Sequence, residues 1–392
     1  MAEWIECKIS DIGTVVGGAT PSTKKPENYE NGAISWITPK DLSSFSGRYI
    51  ERGERNITEI GLKSCSTQLL PQNTVLFSSR APIGYVAIAA NKVCTNQGFK
   101  SVIPNENVDP LFLYYLLKYN KDRIENLGSG TTFKEVSGNT MKNIEVRVPS
   151  DKETQSKIAT VLGSVDGKIE ENERINNNLY EQLTVYYKHL FSAIIPSTSL
   201  GELVGSIFSG GTPSTSNEAY WNGHHYWLSS GETSERFIVS TIKTITDAGV
   251  NNSSTKKANK YDIVIASAGQ GHTRGQTSML LTDTYVNQSI IVVHADLDYL
   301  PYLFCNIANR YEELRVISNS NSIRGSLTTK IIGSLSIPKA NITQIRRFSD
   351  YAWPIVKAVE NNLHENCRLA VMRDTLLPRL MSGELDVSDI DL

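Results

Sequence analysis

Two polar loops recur along this chain, and their side chains suit hydrogen bonding better than covalent chemistry. Ser78, Ser79 and Arg80 precede the run APIG, and Ser267, Gly269, Gln270, His272, Thr273 and Arg274 occupy the matching place later on. A second pair reads GSGTTFK (128–134), with Thr131 and Lys134, and SNSNSIR (318–324), with Asn321, Ser322 and Arg324. Arg, Gln, Asn and Ser/Thr are the side chains that contact base edges and phosphates. Together with Lys40 in SWITPK, these residues form the candidate nucleic-acid-binding set. Taken singly, Gly/Ser/Asn loops are ordinary turns. Their equivalent placement with different polar letters is what suggests two readers on one scaffold.

Motifs for catalysis are missing. There is no GxxxxGK phosphate loop, no HExxH, no GxSxG elbow and no clustered Cys/His set. The run GQGHTRG lacks the spacing of a dinucleotide fingerprint. The six histidines do not recur between the two halves with positioned partners. The expectation is a non-catalytic chain with no metal and no cofactor of its own.

The elements that carry the loops are themselves duplicated. GGATPST (17–23) returns as SGGTPST (209–215). Trp36 matches Trp227, and Asn96–Gln97 matches Asn287–Gln288, all at an offset of 191. Thr140 and Pro149 match Thr329 and Pro338 at an offset of 189. Ordered matches with small slips mark an internal repeat. Short β-like runs (AISWIT, TVLFSS, YVAIAA; YWLSS, DIVIAS, SIIVVHA) and the apolar segments LFLYYLL and LPYLFCNIAN predict mixed α+β domains with a central sheet.

Each copy ends in a heptad pattern. Ile158, Leu162, Val165, Ile169, Asn172, Asn176, Leu179, Leu183, Tyr186 and Leu190 alternate steps of 4 and 3, predicting a coiled-coil helix over 151–194. Ile345, Phe348, Ala352, Ile355, Val359, Asn362, Asn366, Leu369, Arg373, Leu376 and Leu380 keep nearly the same rhythm. Pro354 and Pro378 predict a break or kink. The fold class is therefore α+β, with two duplicated recognition domains separated by two long antiparallel coiled-coil helices. The predicted boundaries are 1–150 (first domain), 151–197 (central helix and linker), 198–338 (second domain) and 339–392 (distal helix and tail). Ile158, Leu162, Ile169, Leu179, Leu183, Ile355, Val359, Leu369 and Leu376 are the seam and subunit-docking candidates.

Composition is that of a globular protein, 40% hydrophobic and 20% charged over 392 residues. No apolar run is long enough to span a membrane, and five scattered cysteines suggest reduced thiols. Together these point to a cytoplasmic chain. The formal net charge of −2 carries no global sign of nucleic-acid binding, so basic groups would have to gather on one face.

Trp4, Gly13 and GGATPST followed by SWITPKDLS, the block TQSKIATVLGSVDGKIEENERIN, and the ending LLPRLMSGEL together resemble the specificity subunit of type I restriction-modification systems. The resemblance spans the whole chain. It implies two target recognition domains, each reading half of a split, asymmetric double-stranded DNA target. It implies helices that act as spacer and dock two modification (methyltransferase) subunits. Those subunits bind S-adenosylmethionine and methylate adenine at N6. Two restriction subunits, ATP- and Mg-dependent translocases with a nuclease, would complete the assembly. From the residues alone, a duplicated coiled-coil adaptor, or a hydrolase using His272 or His225, stays open.

Overall fold

A computed structural model describes residues 3–43, 45–130, 134–269, 272–320 and 326–387. The chain divides into two compact units, one made of Met1–Glu171 with Cys367–Leu392 and the other of Asn172–Asn366. Each unit therefore takes part of each long helix.

The first unit holds a five-stranded sheet in the order Gly13–Gly17, Lys100–Pro104, Val75–Ser79, Ile83–Ala89, Tyr49–Ile50. Its central strand, VLFSS, is buried at every residue, so its burial does not alternate along the strand; Val75, Leu76 and Phe77 are apolar and Ser78 and Ser79 are buried hydroxyls. A smaller sheet orders Arg55–Ile57, Ile34–Ile37 and Cys94–Thr95, with Trp36 beside Cys94 in a parallel pair. Strand Trp4–Lys8 pairs antiparallel with Glu145–Pro149. LFLYYLL lies in the helix Pro110–Tyr119, which starts where the Asp109 carboxylate accepts from the Phe112 N–H at 2.8 Å.

The second unit repeats this plan. Its five strands run Ser206–Ser209, Ile290–His294, Ile263–Ala266, Thr277–Leu280, Phe237–Ile238, the same order as in the first. Its smaller sheet orders Lys243–Ile245, Trp221–Leu228 and Thr284–Val286, and adds Lys256–Ala258 at the edge. The α+β class and the duplication thus stand at the level of strand order.

The long helices run Lys152–Phe191 and Ile342–Met381, 40 residues each, or about 60 Å at ~1.5 Å per residue. The break expected at Pro354 and Pro378 does not occur. Both prolines lie on the exposed face, so the carbonyls they leave without an N–H partner meet water. In the second unit the two helices run antiparallel. The Asn172 amide donates to Asn366 Oδ1 at 2.8 Å, and Asn362 donates to Asn176 Oδ1 at 2.8 Å. Tyr186 lies against Tyr351, ring centroids 4.4 Å apart. The seam asparagines thereby pair two by two, which costs apolar burial and fixes register, while the Asn176 Nδ2 stays buried without a hydrogen-bond partner.

One charged cluster ties the distal helix to the second sheet. Glu360 accepts from Lys260 and from Lys357, the latter at 3.1 Å, and the Tyr261 hydroxyl donates to it at 3.3 Å. Burial alone would push the Glu360 carboxyl up, but the two ammonium groups outweigh it and hold the carboxyl below its ordinary range. A depressed carboxylate adds stability above its unfolded-state value and loses it as pH falls through the folded one. Glu360→Gln is therefore expected to destabilise the chain by about 1–3 kcal/mol at neutral pH. The gap from the parent should shrink as pH falls below the ordinary carboxylate range and towards the depressed folded value, as thermal melts across pH would show. A constant gap down to pH 3 would contradict this assignment.

Candidate nucleic-acid interface

Four loops converge at one place in the first unit, and short hydrogen bonds explain why. Gly18 passes so close to the strand Cys94–Thr95 that a Cβ there would lie 2.2 Å from the carbonyl oxygens of Thr95 and Asn96. Only glycine allows that approach. The Ala19 N–H then donates to Thr95 O at 3.0 Å, and the Trp36 indole donates to Ala19 O at 3.1 Å. The Tyr29 hydroxyl closes the turn onto Pro21 O at 2.6 Å. Thr20 Oγ1 donates to the Gln97 side-chain oxygen. Asn96 Oδ1 receives the Gly98 N–H at 2.8 Å, and Gly98 O receives the Ser79 N–H at 2.7 Å. Ser79 O in turn receives the Val136 N–H at 2.9 Å, which brings in the loop containing Lys134.

The second unit repeats most of the set. A Cβ on Gly210 would lie 1.9 Å from Val286 O. Gly211 N–H donates to Val286 O at 3.1 Å, and the Trp227 indole donates to Gly211 O at 3.4 Å. Thr212 Oγ1 donates to Gln288 Oε1 at 2.5 Å. Asn287 Oδ1 takes the Ser289 N–H at 2.9 Å, and Ser289 O takes the Ser267 N–H at 2.8 Å. Ser267 O takes the Leu327 N–H at 2.9 Å. What differs is the polar dressing. In the first unit Arg80 lies 3.6 Å from Glu135 and Lys100 3.3 Å from the same carboxylate, so one acid sits between two bases. In the second, Arg274 donates to Asn319 Oδ1 at 3.0 Å, and the Tyr311 hydroxyl donates to His272 O at 2.7 Å.

The structure sorts the sequence candidates. Arg80 and Arg274 are partly exposed, and Lys134 and His272 are exposed. Lys40 is exposed and paired with Glu54 at 2.7 Å. Ser78 and Ser79 are corrected: both are fully buried in the central strand. Ser78 Oγ donates to Pro82 O at 2.9 Å while accepting the Tyr85 N–H at 2.8 Å, and Ser79 Oγ donates to Gly98 O at 3.2 Å. These hydroxyls shape the loop from inside. Thr131, Gln270, Asn321, Ser322 and Arg324 lie outside the described residues. Ile158, Leu162, Leu183, Ile355 and Val359 are buried, as seam positions require. Ile169, Leu179, Leu369 and Leu376 are half-buried.

Sequence reasoning missed two residues. Gln97 and Gln288 are exposed at the tips of equivalent turns. Each has its side-chain oxygen latched by a threonine, so the amide NH2 is turned to donate. The signal was present in the repeated Asn-Gln pair. The expectation of no clustered metal-type ligands also needs correction, because the second unit brings His224, His225 and Asp247 together. The pairing joins positions 22 apart, which no linear spacing motif covers.

Residues 1–181 match a family model described as type I restriction modification DNA specificity domain. The type I restriction enzyme MjaIX specificity subunit of Methanocaldococcus jannaschii is 32% identical over 415 residues, covering 99% of this chain and 95% of the relative. The EcoR124I/EcoR124II specificity subunit of Escherichia coli is 28% identical over 206 residues, 48% of each chain. A crystal structure of a type I restriction-modification S subunit from M. genitalium has a TM-score of 0.58 at 19% identity and covers 97% of this chain and 96% of that one. At that identity it supports the fold alone.

Proposed function

The chain belongs to the family of type I restriction-enzyme specificity subunits, and from that premise we propose that its two loop clusters each read one half of a split, asymmetric DNA target. The observation that carries this reading is the repeated hydrogen-bond scaffold with different exposed side chains. A shared frame holds each loop in place, while Arg80 and Lys134 on one unit and Arg274 and His272 on the other offer different donors. The long helices act as spacer and dock two modification subunits, which hold S-adenosylmethionine and methylate adenine at N6. Two restriction subunits with ATP and Mg join that core for cleavage. This chain supplies recognition and leaves covalent chemistry to its partners.

The deciding experiment is domain exchange followed by genome-wide mapping of N6-methyladenine. Replacing 1–150 with a foreign recognition domain should change one half of the methylated motif and leave the other intact. If both halves changed together, the two-reader proposal would fail.

Arg80 and Gln97 are expected to behave differently. The shared bonds match Ser79 to Ser267, so Arg80 falls on Ala268 and differs between the units; Arg80→Ala in the assembled complex should cost about 1–3 kcal/mol and relax one base position. Gln97 recurs as Gln288, so it suits a contact common to both halves, a phosphate or sugar oxygen. Gln97→Ala should weaken binding to all targets alike. Binding assays over single-base target variants distinguish the two patterns.

A further inference from the structure

We propose that the second unit carries a site for a borderline divalent transition-metal ion such as Zn2+, built from His224, His225 and Asp247. Neighbouring residues on a regular strand point to opposite faces. Here the strand Trp221–Leu228 breaks register between Trp221 and His225, and Asn222 takes a φ of +60°. The irregularity turns both imidazoles to one side, with ring centroids 4.0 Å apart. Asp247 comes from the facing helix Asp247–Asn251, whose start is set where Thr246 Oγ1 accepts from the Gly249 N–H at 3.1 Å.

The donor atoms suit an ion. Asp247 Oδ1 lies 2.8 Å from His225 Nε2 and 3.8 Å from His224 Nε2, and one donor atom from each of the three residues lies within 4.8 Å of the others. Ligands at about 2.0–2.2 Å around a tetrahedral Zn2+ sit roughly 3.3 Å apart. The two distances bracket that value, and a turn of the exposed His224 ring would bring its Nε2 closer to Asp247. Two imidazoles and one carboxylate match Zn2+, Ni2+ or Cu2+ and are a poor match for Ca2+ or Mg2+, which prefer all-oxygen shells.

The repeat supplies an internal control. The first unit keeps the same Thr cap at Thr58 and an acid at Glu59, but its residues at the histidine positions are Ala33 and Ile34. The shared scaffold therefore does not need the pair, and a role confined to the second unit follows. A bound ion would clamp the strand Trp221–Leu228 to the helix Asp247–Asn251 and raise the melting temperature of that unit by binding the folded state only.

Titration calorimetry with ZnCl2 on the tag-free, chelator-stripped full chain tests this. The expected result is one saturable site and a Zn2+-dependent rise in melting temperature. His225→Ala should weaken binding by more than tenfold, because loss of a direct ligand costs more than loss of a partner behind one, which is worth about 10–100-fold. His224→Gln alters an exposed side chain and leaves folding untouched, so it guards against a variant that simply unfolds. It too should lower affinity while the metal-free melt stays at the parent value. No saturable site in the parent would overturn the proposal. So would a site indifferent to both substitutions, which would place the ion elsewhere, for example on the exposed Cys367.

Discussion

Truncation after Arg379 is expected to unfold the first unit and spare the second. The chain's far end completes the core of its beginning. Leu380, Met381 and Val387, each 2% exposed, pack in one cluster with Ile9, Phe112, Ile158 and Leu162. The distal helix stops at Met381, and Gly383, at φ +77°, donates its N–H back to Leu380 O at 3.2 Å. That left-handed glycine turns the tail across Trp4, and Arg147 donates to Ser382 O at 3.1 Å. Removing one large core side chain costs about 2–5 kcal/mol. Losing three is comparable to the total stability of a domain, about 5–15 kcal/mol. Calorimetry of the truncated chain should show one surviving transition, and hydrogen exchange should assign it to 172–366. Leu380→Ala is the milder form, with about 2–5 kcal/mol lost. Two unchanged transitions after truncation would contradict the shared core.

Arg373→Met should be nearly as damaging, by about 3–5 kcal/mol. Asp166 is buried in the first unit. It accepts from Arg373 Nη1 at 2.9 Å and from the Tyr115 hydroxyl at 2.7 Å. Burial first, and the Asp166 charge next, push the Tyr115 phenol far up, so it remains a donor. Tyr115 alone cannot neutralise the carboxylate. Removing Arg373 leaves a charge in a poorly solvated site, and that uncompensated charge, more than the lost bond, sets the cost. The test is a double-mutant cycle in denaturant. Asp166→Asn should return a large part of the loss in the Arg373→Met background, because a neutral amide removes the stranded charge. Strict additivity would show that the pair does not interact energetically.

These two effects also separate what was legible in the sequence from what was not. The repeat could be read because its carriers are local: a glycine-turn, a tryptophan, an Asn-Gln pair and an apolar strand, each recurring at nearly constant offset. The heptad seam could be read because burial on a helix has a period, and Ile158, Leu162, Leu183, Phe348 and Val359 are indeed buried. Pro354 and Pro378 do not end the helix, because a proline's local cost depends on whether its orphaned carbonyl reaches water, which is a property of the helix face. Ser78 and Ser79 misled for a related reason. Their residue type suits both an exposed donor and an internal loop brace, and only the strand's position at the sheet centre decides between them.

The sequence by itself determined the α+β class, the two-copy plan, the paired helices and the family, all of which rest on periodic or repeated local signals. Tertiary structure alone decided which side chains meet: Asp166 with Arg373, Glu360 with Lys260, Thr20 with Gln97, and His225 with Asp247. The physical reason is that periodicity specifies which face of an element is buried. A hydrogen bond or an ion pair is specified by the meeting of two elements, at separations that range here from 22 to 207 positions.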